Sequence, residues 1–401
     1  RAYARKLGED EATWGVVGLL HDFDYERWPD APDHPLQGAV ILAERGYPQH
    51  VIYAIKSHAD YLTDCPRVNP LDMTDIWLTA EDPLHRLPDS TDRVHWRRNA
   101  QGQPERLEGE ALAKWIANRR KGAGLGLPFA LEMVRRTGVP IGLIPCAHGG
   151  TSMAQWDPAL KDKGGDSLYG GMIRRFQLAG GKVKGLLWYQ GESDASEKAG
   201  PLFEQKFKEF IQAVRADFKQ PDLPFYYVQI GRYVNGSPST YWDLVQNAQL
   251  KVESQLPNVY MTGCADCELD DGIHVGTDDH RLLGKRLANL AEGRLRRGPR
   301  PVSARVKGSI IEVEFTDVNG RLTHAGRLTG FTIHDAAGNP VPLIFRQRVS
   351  AANPNVVELL WGGKLPEGAT LYHGAGRDPY VNLRDEAGMP APVFGPFPLQ
   401  Q

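Results

Sequence analysis

The sequence predicts an α/β protein built on a three-layer parallel sheet, with a helical segment before it and a small β-sandwich after it. Three observations carry this. Between about 127 and 292, short apolar runs alternate with longer stretches of helical periodicity, the pattern of a parallel sheet covered on both faces. The chain up to about residue 66 shows helical spacing alone. From about Gly298 onward, apolar and polar residues alternate between Gly, Asn and Pro turns, as in short antiparallel strands.

Taken in order, 11–20, 35–45 and 49–58 carry apolar residues at helical spacing, separated by Gly and Pro. The stretch 65–124 is rich in Pro, Asp and Arg and irregular, with one helical piece at 109–119. Helices follow at 127–136, 168–179, 201–218, 241–255 and 278–292, interleaved with strands at 140–145, 183–189, 224–230 and 259–262. The segment 302–315 alternates as a strand pair does. The expected units are therefore 1–67, 68–297 and 298–401.

The bulk numbers narrow the function. A chain of 401 residues suits two or three domains, each of about 100–200 residues. Its 47 basic and 49 acidic residues nearly cancel, and without a basic stripe no nucleic-acid partner is expected. No apolar run approaches the ~20 residues of a membrane span, so no membrane partner is expected either. The opening Arg-Ala-Tyr-Ala-Arg-Lys has no apolar h-region, so no signal peptide is expected; location is left open, cytoplasmic if the chain is natural as given. Cys264 and Cys267 form a lone CxxC without the second ligand pair a structural zinc needs; they read as ordinary thiols. Oligomeric state is left open.

Three clusters follow strands, where sites gather in parallel sheets. In His148-Gly149-Gly150-Thr151-Ser152-Met153, paired glycines make either a tight turn or a place where backbone N–H groups meet an oxyanion. In Trp188-Tyr189-Gln190-Gly191-Glu192-Ser193-Asp194, the Gln190 amide can donate to an oxyanion, while the aromatics read as core. In Asp270-Asp271-Gly272-Ile273-His274, the acid three residues before His274 can orient the imidazole as a general base.

Together the clusters resemble the SGNH-hydrolase superfamily, and within it the sialate O-acetylesterase-like carbohydrate esterases. The resemblance runs over about 75–295 through Gly142-Leu-Ile-Pro-Cys-Ala-His-Gly-Gly-Thr-Ser-Met-Ala-Gln-Trp156, Gly185-Leu-Leu-Trp-Tyr-Gln-Gly-Glu-Ser-Asp194, Asp271-Gly-Ile-His274 and Ala80-Glu-Asp-Pro-Leu-His85. It implies a flavodoxin-like SGNH three-layer sheet, an acetylated carbohydrate as substrate, no cofactor, and release of acetate by a serine mechanism. His274 would be the base, Asp271 its partner, and Gly150 N–H with Gln190 the oxyanion donors. Gly149, Trp156, Trp188, Tyr189 and Glu192 would line the sugar. The resemblance places the nucleophile in a Gly-Gln-Ser-Asn-Met motif after the sheet's first strand, and neither motif nor strand is visible here. Ser152 and Ser193 stand in the clusters but belong to other blocks of the resemblance, so neither is expected to reach His274, and Ser152 is kept only as the candidate substitute. The alternatives are a metal-dependent phosphohydrolase and a remnant that binds acetylated sugar without turnover.

The text before this domain resembles HD-domain phosphohydrolases. It reads Gly18-Leu-Leu-His-Asp-Phe-Asp-Tyr-Glu26, then His34-Pro35, then Ala54-Ile-Lys-Ser-His-Ala59. That resemblance implies a divalent-metal site at His21 and Asp22, with His34 and His58 as further histidines, and a cofactor only if the site is intact. The expectation is a fusion of a partial HD segment with an esterase that lacks its front.

Overall fold

The structure is a computed structural model describing residues 5, 10–31, 33–57, 59, 67–118, 122–235, 237–293 and 297–400. Three helices come first: α1 (Glu11–Leu20), α2 (Asp33–Glu44) and α3 (Gln49–Lys56). Asp10 caps α1 by accepting from Thr13 N at 2.6 Å, the usual way to satisfy a helix's first N–H groups. His34 and Pro35 are non-helical inside α2. Val51, Ile52 and Ile55 of α3 close a small core with Ala39 and Leu42 of α2 and with Val16, Val17 and Leu20 of α1.

The α/β part begins with β1 (Val68–Pro70), which pairs in parallel with β2 (Ile141–Leu143). Sequence reading left 68–70 in an irregular stretch. Three residues, one of them Pro and one Asn, carry no strand signal of their own. Between these strands lie α4 (Gly109–Asn118) and α5 (Gly126–Thr137), the latter ended by left-handed Gly138. After them come α6 (Leu168–Leu178), β3 (Leu186–Tyr189), α7 (Gly200–Asp217), β4 (Phe225–Gln229), α8 (Thr240–Gln255), β5 (Val259–Gly263) and α9 (Thr277–Glu292).

Strands β3, β4 and β5 form one parallel sheet in that order, with Leu186 opposite Phe225 and Phe225 opposite Val259. Every residue of β4 is buried, as a central strand covered on both faces must be. Phe203, Phe207, Phe210 and Val214 of α7 cover one face together with Val245 and Val252 of α8. Leu283 and Leu287 of α9 cover the other, with Phe129 of α5 beside them. Each buried Phe or Leu contributes about 1.5–3 kcal/mol, so this sandwich of layers is the main store of stability. Among the described residues no strand joins the β1–β2 pair to the β3–β4–β5 sheet. The two pieces meet instead through α5, whose Arg136 donates to Asn289 and Glu292 of α9, both at 2.8 Å, and through the loops after β2 and β3.

The C-terminal part holds β6 (Arg300–Lys307), β7 (Ile310–Thr316), β8 (Phe331–His334), β9 (Ile344–Val349), β10 (Val356–Trp361), β11 (Thr370–His373) and β12 (Phe394–Pro398). One antiparallel sheet runs β9–β10–β7–β6, and a second runs from the short strand Pro340–Val341 through β8 and β11 to β12. Their inner residues, among them Ile311, Val313, Phe331, Leu359, Leu371 and Phe394, share one core.

This part is fastened to the α/β part by buried polar groups. The Gln229 amide donates to Val393 O and accepts from Val393 N, both at 2.9 Å. Arg300 grips Glu253 at 2.7 and 3.0 Å. Asp266 lies between Arg286 and Arg384, each at 2.6 Å. Met389, fully buried, packs into the layer of Leu283 and Leu287.

Candidate active site

The loop after β5 folds into a small hairpin, closed by a bridge between Leu269 and Val275. Asp271 Oδ1 accepts from the N–H groups of Ile273 and His274, both at 2.8 Å, and Oδ2 meets His274 Nδ1 at 2.7 Å. The two backbone N–H groups, with the imidazole, hold the Asp271 carboxyl well below the usual carboxylate range. An ionised Asp271 requires a proton on Nδ1, which leaves Nε2 bare as an acceptor. The side chains are 78% and 56% exposed, so Nε2 faces solvent. Such a pair can take up a proton at Nε2.

Glu192 sits in the loop after β3. Burial pushes its carboxyl above the ordinary range, against the pull of its own and Gly191's N–H groups and of the His274 imidazole. Gly191 has φ +156°, and a Cβ there would lie 2.9 Å from Ile230 Cγ2; only glycine fits this turn.

The loop after β2 carries the glycine pair. Gly150 has φ +69°, with nothing within 4 Å of a Cβ position. Both glycines are exposed, and neither N–H has a partner among the described residues. Backbone N–H groups free to meet an incoming oxyanion are what an ester-cleaving site requires.

Gln190 departs from expectation. Its Nε2 donates to Thr151 O at 2.9 Å and to Asp194 Oδ2 at 2.5 Å, so both amide hydrogens are engaged. Asp194 also accepts from Met153 N at 2.9 Å. The Gln190 amide therefore ties the loop after β2 to the loop after β3 rather than facing a substrate.

The profile of the carbohydrate esterase, sialic acid-specific acetylesterase family matches residues 45–292, more than half of the chain. The chain belongs to that esterase family. A probable carbohydrate esterase of Arabidopsis thaliana is 33% identical over 175 residues, 42% of this chain. The chain spans 62% of that curated relative. A carbohydrate acetylesterase of Xanthomonas citri shares the fold with a TM-score of 0.60 at 23% identity, over 82% of this chain and 72% of that one. The family match takes in α3, and so starts inside the segment read as HD-type.

Against this family the remaining residues fall as follows. Trp156 and Trp188 do not line a sugar site. They are 3% and 7% exposed, pack edge to face at 5.2 Å, and join Phe210 in the core. Trp156 Nε1 donates to Thr151 Oγ1 at 3.0 Å. Core burial wins because each ring removes a large apolar area from water. The Tyr189 hydroxyl points to Cys264 Sγ at 3.3 Å, on the layer opposite Trp188. Cys264 and Cys267 are free thiols, both buried. Ser152 Oγ lies 3.5 Å from Gln155 Oε1. Among the described residues no serine hydroxyl is hydrogen-bonded to His274.

In the N-terminal helices, His21, Asp22 and His34 do come together, but as imidazole–carboxylate pairs. Asp22 meets His21 Nε2 at 2.8 Å and His34 Nε2 at 3.3 Å. Buried Asp24, missed from the sequence, takes His34 Nδ1 at 2.7 Å and Gly38 N at 2.7 Å. Both His34 ring nitrogens thus face carboxylates. Among the described residues no group of three or more His, Cys, Asp or Glu is placed to hold a metal. His58 lies outside the described residues.

A second polar cluster was also missed. His95 and His148 share a hydrogen bond at 2.9 Å between their Nδ1 atoms, and Ala147 N donates to His85 Nε2 at 3.2 Å. Arg174 bridges Asp75 and Asp92 at 2.8 and 2.7 Å, and Arg175 takes Asp75 at 2.9 Å. These contacts hold the loop after β2 from below.

Proposed function

We propose that this chain acts on acetyl esters of carbohydrates, with His274 as general base and Asp271 as the carboxylate that orients it. Acetylated carbohydrate is carried over from the family and from the Xanthomonas citri acetylesterase. The observation that carries the reading is the 2.7 Å His274–Asp271 pair, whose Nε2 is open to solvent. With no serine hydroxyl on that nitrogen, water is the nucleophile. His274 Nε2 takes a proton from water as its oxygen bonds to the acetyl carbon. The oxyanion gathers at the Gly149 and Gly150 N–H groups. The tetrahedral species expels the sugar oxygen, which takes the proton back from His274, and acetic acid leaves and gives its proton to solvent as acetate. General-base help of this kind contributes roughly 10²–10⁴-fold, well short of a complete serine site.

The test is p-nitrophenyl acetate hydrolysis by the wild type and by His274→Ala. The expected result is slow turnover, lost in the variant, with no burst of p-nitrophenol. A burst would reveal an acyl-enzyme and refute the water route. Equal rates in both proteins would remove His274 from the reaction. The absence of a serine on His274 also favours a second reading, a site that binds acetylated sugar without turnover. Saturable binding with no acetate released would establish that one instead.

A further inference from the structure

We propose that the C-terminal domain carries its own binding site for an acidic saccharide chain, formed by Tyr380, Arg327 and Thr329. The proposal rests on the reading that the substrate is a carbohydrate. These residues line a cavity of about 520 Å³ together with Gln347 and Leu328. Leu328 is 1% exposed and forms the floor, while Tyr380 is 71% exposed and forms a wall. A single exposed tyrosine is ordinary on a protein surface. This one stands beside an exposed guanidinium, and Arg327 has no carboxylate partner among the described residues. An aromatic face packs on the C–H side of a pyranose ring, and a free guanidinium takes a carboxylate through two parallel hydrogen bonds.

The site is held rigid from beneath. Asn382, 8% exposed, donates to Ala325 O at 2.7 Å and to Arg327 O at 2.9 Å, and accepts from Thr329 N at 3.2 Å. One buried amide thus pins the 325–329 loop to the segment that carries Tyr380. The Gln347 amide is used up on Phe331 N and O, at 3.3 and 3.1 Å, so it supplies wall and no contact. A loop fixed before binding loses little freedom when ligand arrives.

The cavity also stands near the candidate active site. Tyr233 N donates to Arg377 O at 2.6 Å, and Arg232 pairs with Asp378 at 2.9 Å. Next along the chain, Val234 N donates to Gly272 O at 2.7 Å, inside the hairpin that presents His274. Tyr380 follows Arg377 by three positions, a reach of at most about 11 Å.

The experiment is calorimetric titration of the full chain with an acetylated polyuronate and, separately, with an acetylated uncharged mannan. Four proteins are compared: wild type, Tyr380→Ala, Arg327→Gln and His274→Ala. The expected result is at least tenfold weaker binding of the polyuronate by Tyr380→Ala and by Arg327→Gln, with p-nitrophenyl acetate turnover in both variants at the wild-type rate. Arg327→Gln leaves mannan binding unchanged, and added salt weakens polyuronate binding alone. Failure of the wild type to bind polyuronate, or equal binding by all four proteins, overturns the proposal. Binding by His274→Ala with no p-nitrophenyl acetate turnover in any protein would remove the esterase reading and leave this site standing.

Discussion

Removing the Asp194 carboxylate should loosen the join between the loop after β2 and the loop after β3. Asp194 is 2% exposed, and one oxygen serves both Met153 N at 2.9 Å and Gln190 Nε2 at 2.5 Å. Hydrogen bonds to a charged acceptor contribute about 1.5–3 kcal/mol each. Two that share an oxygen are not additive. Burial also raises the carboxyl's pKa, so part of the gain is offset by keeping the charge out of water. The expected loss for Asp194→Ala is therefore about 2–4 kcal/mol, with Met153 N left buried and unpaired. Urea unfolding followed by tryptophan fluorescence reports it, since Trp156 and Trp188 lie in the adjoining core. The midpoint should fall with an unchanged slope, and p-nitrophenyl acetate turnover should fall with it as the Gly149–Gly150 loop loses its anchor. A loss below about 0.5 kcal/mol, the level of an ordinary surface change, would refute the claim that this carboxylate joins the loops.

Three further outcomes can be checked. Burial pushes His95 down to about 3, with His148, His85, Arg175 and Arg174 adding repulsion. Its unfolded value is about 6.5, so the stability it contributes is complete above that pH and is lost by about 1.4 kcal/mol per unit as pH falls toward 3; His95→Gln should flatten the dependence of the urea midpoint between pH 7 and 5. Glu253→Gln leaves the buried Arg300 guanidinium without its counter-charge, at a cost of about 3–5 kcal/mol, and a thermal melt in which the variant matches wild type would show that the pair is solvated. Gly191→Ala combines a left-handed φ with contact against Ile230 and Val245. It should cost about 2–4 kcal/mol, and a crystal structure with that turn unmoved would contradict the steric argument.

Much of the architecture was readable because its signals are local. The helix 168–179 was anticipated from apolar spacing and is observed as Leu168–Leu178. The strand 259–262 was anticipated and is observed as Val259–Gly263. The pairing of Asp271 with His274 was legible because three residues of one turn suffice to make it. What escaped depends on distance in sequence. Arg174 finds Asp75 across 99 residues, and no window around either residue hints at the other. Gln190 was read as a substrate donor because its amide stands at a strand end. Its partner Thr151 lies 39 residues back, and only the assembled loops show that both hydrogens are engaged. Trp156 and Trp188 have the same composition as sugar platforms and core residues alike; burial decided between them.

The three buried anchors between the α/β part and the C-terminal strands bear on how such proteins can be recombined. Gln229, Glu253 and Asp266 each keep a partner on the far side of residue 297, and Met389 crosses the same line to fill a gap beside Leu283 and Leu287. Exchanging the last hundred residues for those of a relative would strand two carboxylates and an amide in a dry interior and open a hole the size of a methionine. A graft succeeds only if all four positions travel with their partners. Changing any one of these residues alone therefore leaves its partner across residue 297 buried and unmatched.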